Sequence, residues 1–350
     1  MRIAQIAPLT ESVPPQLYGG TERVVSYLTE ELVRLGHQVT LFASGDSVTS
    51  AELHSGWPKA LRFDSTVRDL LAPALMQLED AMQRTEEFDV LHFHLDYMPF
   101  SLFSRQRVPF VTTLHGRLDL PELAAVFDRF PRAAVVSISN AQRRPLPQAN
   151  FVRTIYHGMP TGLVTPRPVK PAYLAFLGRI APEKAPDRAI RIARRAGIPL
   201  KIAAKVDRVD EAYWRERIRP LVDGKHIEML GEIGDAEKSD FLSGAVALLT
   251  PIDWPEPFGL VMIEAMAAGT PVIAFNRGSV PEIVEQGLTG FVVEDEQSAV
   301  AAVSRAAALP RAAIRRRFEE RFSAERMARE YLDLYRELSV ERRPRLRAVT

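Results

Sequence analysis

The 350-residue chain contains no cysteine. Disulfide bonds, thiolate metal sites and cysteine nucleophiles are therefore excluded. No uncharged apolar run approaches the roughly 18 residues that a membrane-spanning helix requires, and the strand-like start from Met1 to Pro8 is too short for the apolar core of a signal peptide. An excess of charge is also missing. The 45 Lys and Arg against 44 Asp and Glu leave a formal net charge of +1, which gives no general attraction to nucleic acid. Two motifs are absent as well. No Gly-x-Gly-x-x-Gly follows the first strand-like segment, which counts against a nicotinamide dehydrogenase. No Asp-x-Asp occurs anywhere, so an acidic clamp holding a metal ion on a diphosphate has no support.

What is present is a globular composition, 46% apolar and 25% charged, in a chain long enough for two ordinary cores. Short apolar runs alternate with helical patterns throughout, as in parallel sheets flanked by helices. In the first half, strands are expected at Ile3–Ala7, Val39–Ala43, Val90–Phe93, Phe110–Thr113, Ala134–Ile138 and Arg153–Tyr156. A helix is expected from Thr21 to Leu35, with Val24, Val25, Leu28, Leu32 and Leu35 as its apolar stripe and Gly36 ending it. Five prolines and glycines between Pro160 and Pro171 suggest a linker. A second series follows at Tyr173–Leu177, Leu200–Ala204, Ile227–Leu230, Val246–Pro251, Val272–Phe275 and Gly290–Val293. The expectation is an α/β protein of two doubly wound, Rossmann-like domains with a ligand between them, residues 1–162 and 170–323. A final helix begins at Ala324, with Met327, Tyr331, Leu334, Tyr335 and Leu338 facing inward. From Arg311 to Thr350, twelve Arg stand against seven Asp or Glu. Such a stretch reads first as a solvated helix face and tail, and secondarily as a weak attraction to anionic headgroups.

Four segments carry chemistry. Pro255-Glu256-Pro257-Phe258-Gly259-Leu260 leads into a helix containing Glu264. The amides around Phe258, Gly259 and Leu260 would point out of a helix N-terminus, a ready site for a diphosphate. From there Glu264 can accept from ribose hydroxyls and Glu256 from a sugar beyond the phosphates. Second, Gly178-Arg179 and Glu183-Lys184 place two cations five positions apart beyond a strand's carboxyl end, where open α/β sheets bind ligands. Arg179 suits bidentate contact with phosphate and Lys184 adds a point charge. Third, Tyr18-Gly19-Gly20-Thr21-Glu22 opens the first helix, and the paired glycines permit close backbone approach to a ligand. Fourth, His115-Gly116 follows a strand end, where His115 can bond a sugar or a phosphate. His92, His94 and Asp96 could imitate a metal cluster, but alternation gives the two histidines no clear third ligand.

Together these motifs resemble the retaining glycosyltransferases of family 4, which have the GT-B fold, and the likeness covers nearly the whole chain. The resemblance implies that Arg179 and Lys184 hold the diphosphate of a nucleotide-sugar donor, that Glu264 binds the ribose, and that Glu256 contacts the donor sugar. It implies further that Phe258, Gly259 and Leu260 meet sugar and phosphates through their amides, that Gly19 and Gly20 close over the phosphates from the other domain, and that His115 contacts the sugar. Arg179, Lys184, Glu256 and His115 are thus the expected catalytic residues. The last helix, 324–350, would cross back to the N-terminal domain.

The expected donor is a nucleoside diphosphate sugar, with UDP sugars ahead of GDP and ADP sugars. Base selectivity is expected from backbone groups near Lys205–Val206 and Glu232–Ile233. No cofactor and no metal is expected. The acceptor would be a hydroxyl of a sugar, lipid-linked glycan or small polyol, with Tyr18, Arg117 and Asp119 as candidates because they flank the motifs. The expected location is the cytoplasm, with at most a peripheral contact at the inner membrane face. The apolar stretch Leu120–Phe130 reads first as packing and second as a lipid contact. Where similar proteins show Asn-Gly-Val and an acidic residue, this chain has His157-Gly158-Met159-Pro160. Two rivals share the same frame, a sugar-nucleotide 2-epimerase and a non-catalytic nucleotide-sugar-binding subunit. A phosphorylase is disfavoured, because no pyridoxal-binding lysine motif is found.

Overall fold

A computed structural model describes residues 1–16 and 19–341; Tyr18 and the Arg-rich end from 342 to 350 lie outside the described residues. The chain divides into two compact units. One comprises Met1–Ile138, Arg143–Gly158 and the segment from Ala324 onward, the other Ser139–Gln142 and Met159–Ser323.

The first unit contains strands β1 (Arg2–Ile6), β2 (Gln38–Ser44), β3 (Glu52–Trp57), β4 (Val90–Phe93), β5 (Phe110–Thr113), β6 (Val135–Ser137) and β7 (Phe151–Thr154). All pair in parallel, in the order β3-β2-β1-β4-β5-β6-β7. Helices of this unit include α1 (Gly20–Arg34), α2 (Leu71–Gln83) and α3 (Pro121–Arg129). Gly36, at φ +85°, takes the left-handed turn that ends α1.

The second unit contains β8 (Tyr173–Arg179), β9 (Leu200–Lys205), β10 (Ile227–Gly231), β11 (Ala245–Thr250), β12 (Val272–Phe275) and β13 (Gly290–Val293), again all parallel. Their order is β10-β9-β8-β11-β12-β13. Both sheets therefore reverse direction beside their first strand, β1/β4 and β8/β11, as dinucleotide-type α/β folds do. Helices here include α4 (Pro186–Ala196), α5 (Asp235–Ser243), α6 (Leu260–Ala267), α7 (Glu296–Ala307) and α8 (Arg311–Phe322). Strand β8 runs one residue beyond Gly178, because Arg179 continues the ladder opposite Lys205.

The Pro-rich stretch after Gly158 is anchored within the second unit. Arg315 donates to the carbonyls of Thr161 and Val164, and the amides of Thr165 and Arg167 donate to Ser239 and Ser243. The division between units thus falls between Gly158 and Met159, ahead of the prolines. The chain leaves the second unit beside the same point, where Met159 bridges Ser323. It then forms α9 (Ala324–Glu341), which belongs to the first unit.

The two faces of the first sheet have different chemistry, set by strand alternation. Leu91 and Phe93 of β4 join an aromatic core with Phe42, Phe100, Phe103 and Phe127. The intervening His92 points to the opposite face, where Tyr331 and Tyr335 of α9 are fully buried. The core of the second unit is mainly aliphatic, built on Leu174, Ile190, Ile202, Ile227 and Leu249.

Candidate active site

In the second unit, the connections leaving β8 and β11 are held together at the point where strand order reverses. The amide of Asp253 donates to the Glu183 carbonyl at 2.9 Å. Across this junction the Lys184 ammonium is ion-paired with the Glu256 carboxylate. Trp254 completes the pair, its indole N–H reaching Glu256 Oε2 at 3.1 Å and its ring lying 4.7 Å from Lys184 Nζ. Arg179 pairs with Glu183 and lies 3.3 Å from Asp210 and 3.7 Å from Asp207. Burial raises the Asp210 carboxyl above its ordinary value, against the pull of Arg179. Both cations are therefore compensated by carboxylates on neighbouring loops.

The Glu256 loop is shaped by two glycines. Gly259 sits at φ +86° before α6, and a Cβ there would lie 2.6 Å from Met262 Cε. Gly278, at φ +53°, packs against the backbone of Glu256, and a side chain would overlap the Glu256 N and O atoms. The Ser279 amide donates to the Glu256 carbonyl, and the Ser279 hydroxyl donates to the Phe258 carbonyl. The left-handed turn at Gly259 starts α6 at Leu260; the Met262 amide donates to the Gly259 carbonyl at 3.0 Å, and the amides of Leu260 and Val261 precede the first intrahelical acceptors. Phe258 itself is buried, its ring 6.1 Å from that of Phe322.

Glu264 lies on α6 and is only 5% exposed. Its Oε1 takes the Lys238 ammonium at 2.7 Å, and Lys238 also lies 3.1 Å from Asp235. Sequence reasoning passed over Lys238, Trp254, Asp207 and Asp210. None belongs to a recognisable spacing. A Trp two residues before Glu256 was the one available signal.

The remaining candidates lie in the first unit. Gly19 precedes α1 and is packed so closely on Pro15 that a Cβ would fall 2.8 Å from that ring. Beneath it Glu11 pairs with Arg62 at 2.7 Å, and burial pushes the Glu22 carboxyl up. Gly20 is the first residue of α1. His115 follows β5, and its Nε2 lies 2.9 Å from His94 Nδ1. Its ring stacks on His157 at 5.2 Å. Burial brings His115 down to about 3 and holds His92, His94 and His157 well below the ordinary imidazole range. Arg117 and Asp119 pair with each other at 2.7 Å on the surface just beyond. Of the sequence candidates, the fold thus joins Lys184 to Glu256, turns Arg179 toward Glu183 and the Asp207–Asp210 loop, and faces Glu264 to α5. His115 stands in a histidine cluster. Among the described residues, no group of three or more His, Asp or Glu side chains is arranged to hold a metal ion.

Two sheets of one strand order, with paired cations and carboxylates at the switch point of the second, define an α/β protein built from two Rossmann-like units. Known proteins make the class specific. The family model for glycosyltransferase family 4 matches residues 18–163, and that for glycosyl transferases group 1 matches residues 164–322. The chain belongs to this glycosyltransferase family, with the GT-B fold, and is a hexosyltransferase. It is 27% identical to a phosphatidyl-myo-inositol mannosyltransferase of Mycobacterium leprae, over 91% of this chain and 90% of the relative. It is also 27% identical to a D-inositol 3-phosphate glycosyltransferase of Saccharomonospora viridis, over 91% and 89%. Among solved structures, HepE of Anabaena in complex with UDP and glucose shares the fold at a TM-score of 0.72, with 20% identity over 96% of this chain and all of that one. No described helix is long and apolar enough to cross a membrane.

Proposed function

We propose that the protein transfers a hexosyl group from a nucleoside diphosphate sugar to a hydroxyl acceptor, with retention at the anomeric carbon and without a metal ion. The observation that carries this reading is the Arg179–Lys184–Glu256 arrangement beside the N-terminus of α6. An incoming diphosphate replaces Glu256 on Lys184 and Glu183 on Arg179, exchanging carboxylate for phosphate partners. Glu256, released from its cation but still tied to Trp254, then accepts from hydroxyls of the sugar. As the bond from the anomeric carbon to the phosphate oxygen breaks, charge grows on the diphosphate. Arg179, Lys184 and the α6 amides stabilise that charge. The acceptor oxygen bonds to the anomeric carbon on the same face, and the departing phosphate takes its proton. Glu264, oriented by Lys238, is left to accept from the ribose hydroxyls. Gly19 and Gly20 supply close backbone approach to the phosphates.

UDP sugars are the first donors to test, consistent with the UDP-bound state of the HepE structure. Both curated relatives are named for inositol-containing acceptors, which favours a polyol, free or in a lipid headgroup. Arg117 and Asp119 are the residues proposed to meet it, and a lipid-borne acceptor would bring the protein to a membrane surface. The test is transfer from UDP-, GDP- and ADP-hexoses to inositol, hexoses and phosphatidylinositol vesicles in the presence of EDTA, with the product's anomeric configuration read by NMR. Retained configuration with EDTA present supports the reading. An inverted product, abolition by EDTA, or 2-epimerisation of the donor without an acceptor overturns it.

A further inference from the structure

We propose that Trp254 is a positioning residue for two members of the site at once. Its indole N–H holds the Glu256 carboxylate and its ring face holds the Lys184 ammonium, so that both stay in place when a donor diphosphate takes Lys184 from Glu256. This role rests on the transfer reaction proposed above and deepens it, by naming what keeps Glu256 from turning away once its cation is engaged elsewhere.

The two contacts use different parts of one rigid side chain. The N–H at the ring edge reaches Glu256 Oε2 at 3.1 Å, and Lys184 Nζ lies over the ring, 4.7 Å from its centre. An indole N–H only donates, so its bond to a carboxylate persists whatever Lys184 does. An ammonium over a ring face is attracted by the ring's quadrupole and keeps hydrogens free for an anion. Lys184 is also bonded to Glu256 Oε2. Both contacts of the carboxylate thus fall on one oxygen, and among the described residues Oε1 has no partner. Oε1 is then the atom that accepts from a sugar hydroxyl.

Trp254 is itself held by the loop that carries it. Its carbonyl accepts from the Glu256 amide at 2.9 Å, a tight turn around Pro255. Beside it, the Asp253 amide donates to the Glu183 carbonyl at 2.9 Å, and the Asp253 carboxylate pairs with Arg188 at 2.8 Å. The indole is therefore fixed to the connections leaving both β8 and β11. When Lys184 turns to a diphosphate, Glu256 is left beside negative charge that repels it. A hydrogen bond to an ionised acceptor, roughly twice as strong as a neutral one, opposes that repulsion.

The test separates the two contacts. Trp254→Phe keeps a ring for Lys184 and removes the N–H. In the transfer assay above, kcat is expected to fall about tenfold, with KM for the sugar nucleotide within about twofold of the parent value and the melting temperature unchanged. An unchanged kcat, or a fall accompanied by a lowered melting temperature and a raised KM, would reduce Trp254 to a packing residue and overturn the proposal. Trp254→Leu removes the ring as well. Calorimetric titration with UDP, GDP and ADP is then expected to show a Kd about threefold above that of the Phe variant, and equal values would overturn the contact with Lys184. The dependence on Glu256 is read in single turnovers with enzyme in excess over donor, so that slow transfer is still measured. In Glu256→Ala, adding Trp254→Phe should lower the rate no further, because the indole acts through the carboxylate. A fully additive loss would overturn the positioning of Glu256. Unchanged turnover in Glu256→Ala alone would instead overturn the transfer mechanism itself, so the two failures are distinguishable.

Discussion

Acidification should unfold the first unit well before the second. His115 is held down to about 3 in the folded protein by burial, against about 6.5 in an unfolded chain. A histidine depressed in this way binds fewer protons folded than unfolded. Its contribution is fully present above the unfolded pKa and is lost progressively as pH falls toward the folded one. Between pH 7.5 and pH 5 the loss for His115 alone is about 2 kcal/mol. His92, His94 and His157 are shifted in the same direction by the same cause and sit in the same unit. Set against a total stability of roughly 5–15 kcal/mol, this is a large fraction. Differential scanning calorimetry at the two pH values should resolve it. For a domain of this size, His115 alone corresponds to a downward shift of about 4–8 °C in the first unit's transition. The second unit contains a single histidine, His226, and should move less. His115→Gln should remove about 2 kcal/mol of the pH dependence. A first-unit transition at the same temperature at both pH values would refute the linkage argument.

Three substitutions test the second unit. Lys184→Ala should lower turnover at least about tenfold with circular dichroism unchanged, because it removes one of two cations from the growing charge; wild-type turnover would take Lys184 out of the mechanism. Gly278→Ala adds a Cβ into the Glu256 backbone at positive φ; a loss of about 1–3 kcal/mol in urea unfolding, with weakened donor binding, is expected, and a neutral result would mean the loop can move aside. Lys238→Met leaves the buried Glu264 carboxylate without its ammonium; a loss of about 3–5 kcal/mol is expected, and full stability would show that water or Asp235 has rearranged to compensate.

Much of the fold was legible because its strands are buried on both faces and therefore read as uninterrupted apolar runs. Val90–Phe93, Phe110–Thr113, Val272–Phe275 and Gly290–Val293 have the boundaries expected from sequence. The strand that was missed, Glu52–Trp57, is an edge strand whose sequence, Glu-Leu-His-Ser-Gly-Trp, has no such run and is partly exposed. In the candidate site, motif spacing located Arg179, Lys184, Glu256 and Glu264 but said nothing of their partners. Ion pairs such as Lys238 with Glu264 join residues 26 positions apart on different helices, and the pairing is decided by packing. The histidine cluster illustrates the same limit. Alternation along β4 puts His92 and His94 on one face, but the link from His92 to Tyr335 spans 243 positions and exists only once α9 is folded onto the sheet.

The most direct test of the central claim is calorimetric titration of the purified protein with UDP, GDP and ADP in EDTA, repeated with Arg179→Ala. Binding of one nucleotide diphosphate without metal, weakened about tenfold or more by the substitution, is the predicted result. Absence of binding to all three, or binding indifferent to Arg179, would contradict the assignment of the switch-point cations to a donor diphosphate.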